Sequence, residues 1–525
     1  MPKLVAEAKP PETSAARGHS RWRSAWAGIA SASAGVGIAE VVAALVSPRS
    51  SPLASTGALV IDLAPSWLKE AVISLFGTAD KIVIIVAVSL AVAMLAGLAG
   101  IVETKKSPWG RVIMAAVGGI SFFAAITRAD SSFLSGVPAI IAIVIAVLLL
   151  GQLSRRSRAI DIATSERARS DERRWFLISS GIAAGFGVIA ALGGSIAAAS
   201  IQAVTVARRT FLLPDPAVNA VPIPAGASLD IPGIAPLVTP NNDFYRIDTA
   251  LIVPTIDPDQ WSLTITGMVE REVSITFEEL LALPLEESYV TLACVSNYVG
   301  GGLIGNALWL GYPIRKLLAQ AGPTAGADMV LSRSVDGFSA STPLSALTDD
   351  RNAILAVAMN GEPLPADHGF PVRMVVPGLY GYVSATKWVT QLAVTTFAKE
   401  TAYWTNRGWS ARGPVKLSSR IDTPRNNVTV PGGRVMIAGV AWSQHIGISR
   451  VEVRIDDGPW NEATLAEAIS ADTWRQWSFA WEATRGRHTL TVRATDAEGA
   501  VQTAKFSDVV PDGATGHHTI DVGVD

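Results

Sequence analysis

The feature that most limits what this chain can fold into is a set of apolar stretches confined to its first 205 residues. Runs of spanning length lie at about 25–46, 82–102, 112–127, 133–150 and 175–200, and roughly 20 apolar residues match the hydrocarbon thickness of a bilayer. They predict an all-α bundle of five transmembrane helices, two of them short, over residues 1–205. Composition agrees, since 49% of the 525 residues are hydrophobic and only 17% charged, too apolar for one soluble enzyme. The net charge of −2 hides an asymmetry: residues 1–209 carry 21 Lys+Arg against 12 Asp+Glu, whereas residues 210–525 carry 22 against 33. An acidic second half excludes a nucleic-acid binder, which needs a clustered basic face.

Orientation follows from the cations. Fifteen of them, including Lys3, Lys9, Arg17, Arg21 and Arg23 before the first span and seven Arg within 155–174, fall in one set of loops against four in the alternate set. The positive-inside rule puts the larger set in the cytoplasm. The expectation is a multi-pass protein of the cell membrane with a cytoplasmic N-terminus and everything after about residue 205 outside the cytoplasm. The loop 51–76, with "APSWLKEAVISLFG", reads as an outer-surface amphipathic helix. Small residues in "AGIASASAGVGIAE" let another helix approach the first span closely. Glu40 is its one ionisable residue, a functional candidate by depth, or else a carboxyl held by a local partner. No span contains His, so paired His ligands for an intramembrane haem are excluded. Arg173, Arg174, Phe176 and Leu177, ahead of a Gly/Ala-rich apolar run, resemble a twin-arginine export signal; ordinary topogenic arginines are the alternative.

Residues 206–240 are rich in Pro and Gly and read as a linker that wraps the extracytoplasmic half or spaces it from the bilayer. From 241 to 412, short alternating runs ("WSLTITGMV", "SYVTLAC", "ADMVLSRSV") predict strands, and "TFEELLAL" and "YPIRKLLAQAG" predict amphipathic helices. Thr276 and Glu279 form a candidate capping box. From 413 to 525 period-two runs such as "SRVEVRID" and "GRHTLTVRATDAEG" predict a β-sandwich whose tryptophans supply core bulk. Nucleotide-binding glycine motifs and the H-E-x-x-H motif are absent.

Six His and one Cys, Cys294, exclude a disulfide framework, a Cys-rich zinc site and Cys-ligated clusters. Cys294 stands where a predicted strand gives way to a loop with Asn297 and three glycines. Such a place suits a metal thiolate or a nucleophile; a structural thiol, and a Cys-His pair with His368 as base, stay open.

"VTLACVSN" followed by "GGLIGNALWLGYPIRKLL" resembles the segment of the sulfite oxidase family of molybdenum enzymes that carries the metal-binding cysteine. "NNDFYRID" is similar to that family's upstream cofactor-contacting segment, and "AMNGEPLPADHGFPVRMVVPGLYGYVSATKW" to its pterin-binding stretch. The closing sandwich resembles the family's immunoglobulin-like dimerisation domain. The resemblance covers about 240–520 and implies a mononuclear molybdenum–molybdopterin cofactor with Cys294 as metal ligand. It implies Asn242, Tyr245 and Arg246 as contacts to the pterin phosphate or metal pocket, Arg246 also matching a substrate-anion arginine and acting in catalysis with Cys294. Asn297 falls within the matched cysteine segment, and Ser334, His368, Arg373, Ala385, Thr386 and Lys387 match cofactor-binding positions.

There are departures. Phe338 stands where sulfite oxidases place an active-site tyrosine, and Ile247-Asp248 where many have Asn-His. No haem domain accompanies the resemblance. It therefore implies two-electron oxygen-atom transfer on a small oxyanion, with electrons exchanged with a separate cytochrome, quinone-linked protein or diffusible carrier, and allows a homodimer. Reduction of an S-oxide, as in the methionine sulfoxide branch of the superfamily, and a non-catalytic extracytoplasmic binding module are the alternatives.

Overall fold

The computed structural model describes residues 14–46, 50–65, 68, 72, 80–127, 133–163, 165–196, 211–250 and 253–525. The chain forms two compact units, residues 1–203 with 250–252 and residues 204–249 with 253–525.

The first unit contains α1 (Ser14–Val46), α2 (Pro52–Leu63), α3 (Asp80–Lys105), α4 (Trp109–Ile126), α5 (Val137–Ile162) and α6 (Glu166–Ile196). Among the described residues, four segments are long and apolar enough to cross a membrane: Arg21–Ala44, Val83–Lys105, Trp109–Ile126 and Leu134–Ile162. The fifth expected span, 175–200, coincides with α6 as far as Ile196, and residues 197–200 lie outside the described ones. The supported count is therefore four. Most of "APSWLKEAVISLFG" also lies outside the described residues, while α2 occupies the start of that loop.

Helix α1 packs against α3, α5 and α6, and its small residues make this possible. A Cβ on Gly28 would stand 1.9 Å from the Ala96 carbonyl oxygen, and one on Gly100 2.0 Å from that of Ser24. We expect Gly100→Val to push α1 and α3 apart, at the upper end of the about 1–3 kcal/mol typical of overpacking, because the obstacle is backbone. Gly119, with nothing near its would-be Cβ, is the control. Thermal unfolding in detergent should show a clear loss for Gly100→Val and none for Gly119→Ala; equal behaviour would refute the close-packing argument.

Glu40 has a local task. Its carboxylate accepts from Ser51 Oγ (2.8 Å) and from the Leu53 amide (3.2 Å), at the N-terminus of α2, where free N–H groups favour an anion. The functional candidate resolves to the partner-held carboxyl. Arg23 of α1 pairs with Asp161 of α5, and the fully buried Glu103 accepts from Ser107 Oγ and from Arg111 N and Nε, turning α3 into α4.

In the second unit the strands described before residue 400 are β1 (Ser262–Gly267), β2 (Val273–Thr276), β3 (Glu286–Ala293), β4 (Ile304–Pro313), β5 (Met329–Ser334), β6 (Ser339–Pro343), β7 (Ile354–Met359), β8 (Glu362–Pro363), β9 (Arg373–Val375) and β10 (Val389–Thr395). One sheet runs β2-β1-β10-β5-β6 with β1 parallel to β10; the other runs β3-β4-β7-β8, with β9 also on β7. Short helices join them: α7 (Phe277–Leu281), α8 (Ile314–Ala321), α9 (Leu344–Thr348) and α10 (Gly381–Ser384). The expected capping box opens α7, with Thr276 Oγ1 accepting from the Glu279 amide and Glu279 Oε2 from that of Thr276. Strand β3 passes from half-buried to fully buried residues along its length. Its inner end delivers Cys294 beside the core of Val290, Leu292, Trp309, Ile354 and Phe370.

The sandwich comprises β11 (Ser418–Thr423), β12 (Val428–Val430), β13 (Gly433–Trp442), β14 (Ile448–Ile455), β15 (Trp460–Glu462), β16 (Thr464–Leu465), β17 (Arg475–Ala483), β18 (Gly486–Asp496) and β19 (His518–Val524). They pair as β11-β13-β17-β16 and β12-β19-β18-β14-β15. Trp477 and Trp481 fill the core between them. The Pro/Gly-rich segment wraps this unit: Ala217 N bonds Leu285 O, Leu229 N bonds Gln476 Oε1, and Thr239 N bonds Asn306 O.

The sandwich also grips β3 and the glycine loop after it. Thr291 N donates to Asp472 O (3.0 Å), Trp474 N to Thr291 Oγ1 (2.8 Å), and Arg420 Nη1 to Gly301 O (2.8 Å). Gly300, at φ +78°, has no room for a side chain, because a Cβ would meet His518 Cδ2 at 2.2 Å. His518 Nδ1 accepts from Ile421 N, a bond that requires this nitrogen unprotonated. Burial, with help from Arg420, pushes His518 down to about 4. The unfolded chain therefore binds the extra proton first, so this stabilisation is full above pH 6.5 and is lost as pH falls toward 4. At about 1.4 kcal/mol per unit, roughly 2 kcal/mol is gone at pH 5. Melting midpoints at pH 7.5 and 5 should converge in His518→Gln relative to the wild type; an unchanged gap would place the pH dependence elsewhere.

Candidate active site

Cys294 is 8% exposed, and its amide donates to Leu303 O (2.9 Å). Burial pushes the thiol up, while the Ser296 amide and hydroxyl and the charge of Lys387 pull it back. Only the thiolate binds a metal, and these groups favour that form. Among the described residues no group of three or more His, Cys, Asp or Glu is placed to hold a metal ion. A metal on Cys294 must bring its other ligands with it.

The loop after Cys294 is fixed from both sides. Asn297 N donates to Cys294 O, and Asn297 Oδ1 accepts from Leu303 N (2.8 Å). A Cβ on Gly301 would strike that same Oδ1 at 2.5 Å. Asn297 thus organises the loop.

Two cations share one carboxylate. Asp248 Oδ2 accepts from Arg246 Nε (3.1 Å) and from Lys387 Nζ (3.0 Å). Lys387 is also bonded to Asp367 O (2.8 Å) and is pushed down to about 8, by burial first, then against the pull of Asp248. Arg373 is 4% exposed and makes no ion pair among the described residues; Nη1 donates to His368 O, and the guanidinium lies 5.1 Å from the Trp309 ring centroid. Burial brings Arg373 down to about 10. His368 Nε2 faces Asn241 O at 3.2 Å, and Nδ1 is buried with no hydrogen-bond partner among the described residues. Burial and the cations Lys387 and Arg373 push His368 down to about 4, so it is neutral at physiological pH.

The Tyr245 phenol is pushed up by burial and next by Cys294, against Arg373, which ties the "NNDFYRID" segment to both. Backbone bonds hold the rest in register. Met374 N donates to Thr386 O, Thr386 Oγ1 meets Ser332 Oγ at 2.7 Å, and Ala385 N donates to Gly381 O. Ser334 pairs with Val389 across β5 and β10, and its Oγ accepts from Asp336 N. Asn242 is the outlier, being exposed. Its neighbour Asn241 makes the contact to His368 and another to Asn360 Nδ2 (2.8 Å). Which of two consecutive asparagines faces inward is set by the turn in which Asp243 N and Phe244 N both bond Pro240 O. Sequence spacing carried no sign of that.

Such a site suits a particular ligand. A buried arginine without a counter-ion, a shared buried lysine and an orphaned imidazole nitrogen call for an anion with acceptors, and a lone thiolate calls for a soft metal already ligated. A phosphate-bearing cofactor with its own sulfur ligands fits these residues.

Comparisons with known proteins bear on the same region. Residues 250–404 match the family described as the oxidoreductase molybdopterin binding domain, and residues 418–492 the bacterial Ig domain. The chain is 32% identical over 289 residues to mitochondrial sulfite oxidase of Rattus norvegicus, covering 46% of this chain and 52% of that protein. It is 31% identical over 299 residues to sulfite oxidase of Arabidopsis thaliana, covering 46% of this chain and 76% of that one. The sulfane dehydrogenase SoxCD from Paracoccus pantotrophus matches in structure at 25% identity, with a TM-score of 0.48, over 54% of this chain and 80% of that one. The chain spans about half the length of the mammalian relatives it matches.

Proposed function

Because the chain belongs to the sulfite oxidase family of molybdopterin-dependent oxidoreductases and carries that family's cofactor-binding domain, we propose that it is a membrane-anchored enzyme of two-electron oxygen-atom transfer on a small oxyanion, sulfite-like in shape and charge. The observation that carries this reading is the cationic group of Arg246 and Lys387, sharing Asp248, with the buried Arg373, the charge of Lys387 reaching the buried Cys294.

When bound, the cofactor supplies the oxygen-atom transfer and the two-electron change. Cys294 would ligate the molybdenum. Arg373 and Lys387, with backbone from Ala385 to Lys387 and contacts from Tyr245, His368 and Ser334, would hold the pterin and its phosphate. Arg246 spends Nε on Asp248, which leaves its terminal nitrogens to fork an oxyanion. Asp248 then fixes the angle of that fork and lowers the local positive charge enough to let product leave. The balance is oxyanion plus water giving the product with one more oxygen, two protons and two electrons, the electrons passing to a separate cytochrome, quinone-linked protein or diffusible carrier.

Localisation belongs to the same proposal. The basic loops put the N-terminus in the cytoplasm, and the catalytic unit would lie outside it, exported folded through the Arg173-Arg174 segment with α6 as a fifth span. The test is metal analysis with a redox screen of the full chain: about one molybdenum per chain, and oxidation of sulfite with an artificial acceptor. Turnover of S-oxides with a reduced donor, and none of sulfite, would transfer the protein to the reductive branch. Carefully matured protein without molybdenum would leave only a binding module.

A further inference from the structure

Strand β3, which leads into Cys294, lies at the edge of its sheet: among the described residues it pairs with a strand on one side only, β4. An edge presents backbone N–H and C=O groups that still need partners. We propose that the sandwich supplies them just ahead of the metal ligand, and that Thr291, three residues before Cys294, is the positioning residue through which the sandwich fixes the thiolate. This rests on Cys294 as the molybdenum ligand, proposed above.

Near its start the outer side of β3 is closed by the Pro/Gly-rich segment, with Glu287 N donating to Val218 O (2.8 Å). At Thr291 the sandwich takes over. Thr291 N donates to Asp472 O (3.0 Å), and Thr291 O accepts from Gln444 Nε2. Both backbone groups of Thr291 thus point away from β4, so Thr291 and its register partner Asn306 form a non-hydrogen-bonded pair, the kind whose side chains lie closest. Those side chains are joined: Thr291 Oγ1 donates to Asn306 Oδ1 (3.1 Å) and accepts from Trp474 N (2.8 Å). Asn306 Nδ2 and Trp474 Nε1 both donate to Leu237 O, each at 2.9 Å. Thr291, Asn306, Gln444 and Trp474 are all buried.

A buried polar network with its members satisfied favours one arrangement over its neighbours. Here the arrangement is the register of the end of β3. Beyond Thr291 the strand has two residues left, Leu292 and Ala293, opposite Gly305 and Ile304, and Cys294 follows with its amide on Leu303 O. The bond from Arg420 Nη1 to Gly301 O holds the far side of the loop. The sandwich therefore grips the chain on both sides of the thiol. Misplacement of a reacting group by about 1 Å can cost about 100-fold in rate, which gives such a grip a catalytic consequence.

The experiment reads the thiolate-to-molybdenum charge-transfer band in the absorption spectrum of the oxidised, molybdenum-loaded full chain in detergent, a signature of geometry at the sulfur that needs no turnover. Thr291→Val keeps the side-chain shape and removes both hydroxyl bonds. The band should shift, and kcat with sulfite should fall about tenfold or more, as for other outer-shell partners of a metal, with molybdenum content unchanged. Thr291→Ser, which keeps the hydroxyl, should restore both. Gln444→Met removes a bond to β3 from the sandwich side alone and should move the band in the same direction, so the test survives poor folding of Thr291→Val. Val451→Ala, in the sandwich core, should lower the melting midpoint and leave the band in place. A band unmoved in Thr291→Val and Gln444→Met, or moved equally by Val451→Ala, overturns the positioning role while Cys294 stands as ligand. A band that survives Cys294→Ser overturns the thiolate ligation and this inference with it.

Discussion

Cys294→Ser should stop turnover while the protein stays folded and still carries most of its molybdenum. The thiol makes no structural bond that a hydroxyl cannot make: the Cys294 amide, not its side chain, bonds Leu303 O, and Ser296 would donate to an oxygen as it does to sulfur. Burial at 8% exposure leaves room for the slightly smaller side chain. A serine hydroxyl, however, is a poor soft-metal ligand and keeps its proton near neutrality. Even outer-shell partners of a metal are worth about 10- to 100-fold in activity, so loss of the one direct protein ligand should cost more than about 100-fold in kcat. The expected retention of metal follows from the proposal that Arg373 and Lys387, and not Cys294, carry the anchoring charge. Metal analysis beside steady-state assays of the same preparation checks both halves. Near-normal kcat in the serine variant would remove the thiolate from the mechanism.

Much of the architecture could be read because burial imposes a period. The run "GRHTLTVRATDAEG" became β18, with Leu490, Val492 and Ala494 on the inner face, since strand residues alternate between faces. Small residues foretold the tight contacts of α1, but not that Ala96 and Ser24 would supply the opposing carbonyls; partners across a helix pair depend on register, which composition does not encode. Glu40 illustrates the same limit, because its role exists only once α2 has been placed over it. In the catalytic unit the lone cysteine at a strand end was visible, whereas the convergence of Arg246, His368, Arg373 and Lys387 was not. Those residues sit on separate segments joined by single backbone bonds such as Met374 N to Thr386 O. Only the resemblance brought them together.

Arg373→Met separates cofactor anchoring from folding, and its two effects have opposite signs. In the protein alone Arg373 is a buried cation with no ion pair among the described residues, and burial pushes it down to about 10. The charged form is therefore disfavoured in the fold relative to the unfolded chain. Methionine removes that cost and gives up the guanidinium's place over the Trp309 ring. It also gives up the charged-donor bonds to His368 O and Met374 O, worth roughly 1.5–3 kcal/mol each before the burial cost of the charge is set against them. The cofactor-free variant should thus be as stable as the wild type or up to about 1–2 kcal/mol more so, since exchanging an uncompensated buried charge for a well-packed apolar side chain is commonly neutral or stabilising. With cofactor supplied, the order reverses. The proposed phosphate loses its buried counter-ion, and molybdenum occupancy should fall by about tenfold or more, the equivalent of one charge-assisted hydrogen bond. Melting of protein made without molybdenum, next to metal content of protein made with it, tests the pair. A methionine variant that still carries one molybdenum per chain would detach Arg373 from the cofactor, and one that melts far lower in the cofactor-free form would make Arg373 a structural residue of the β9 turn.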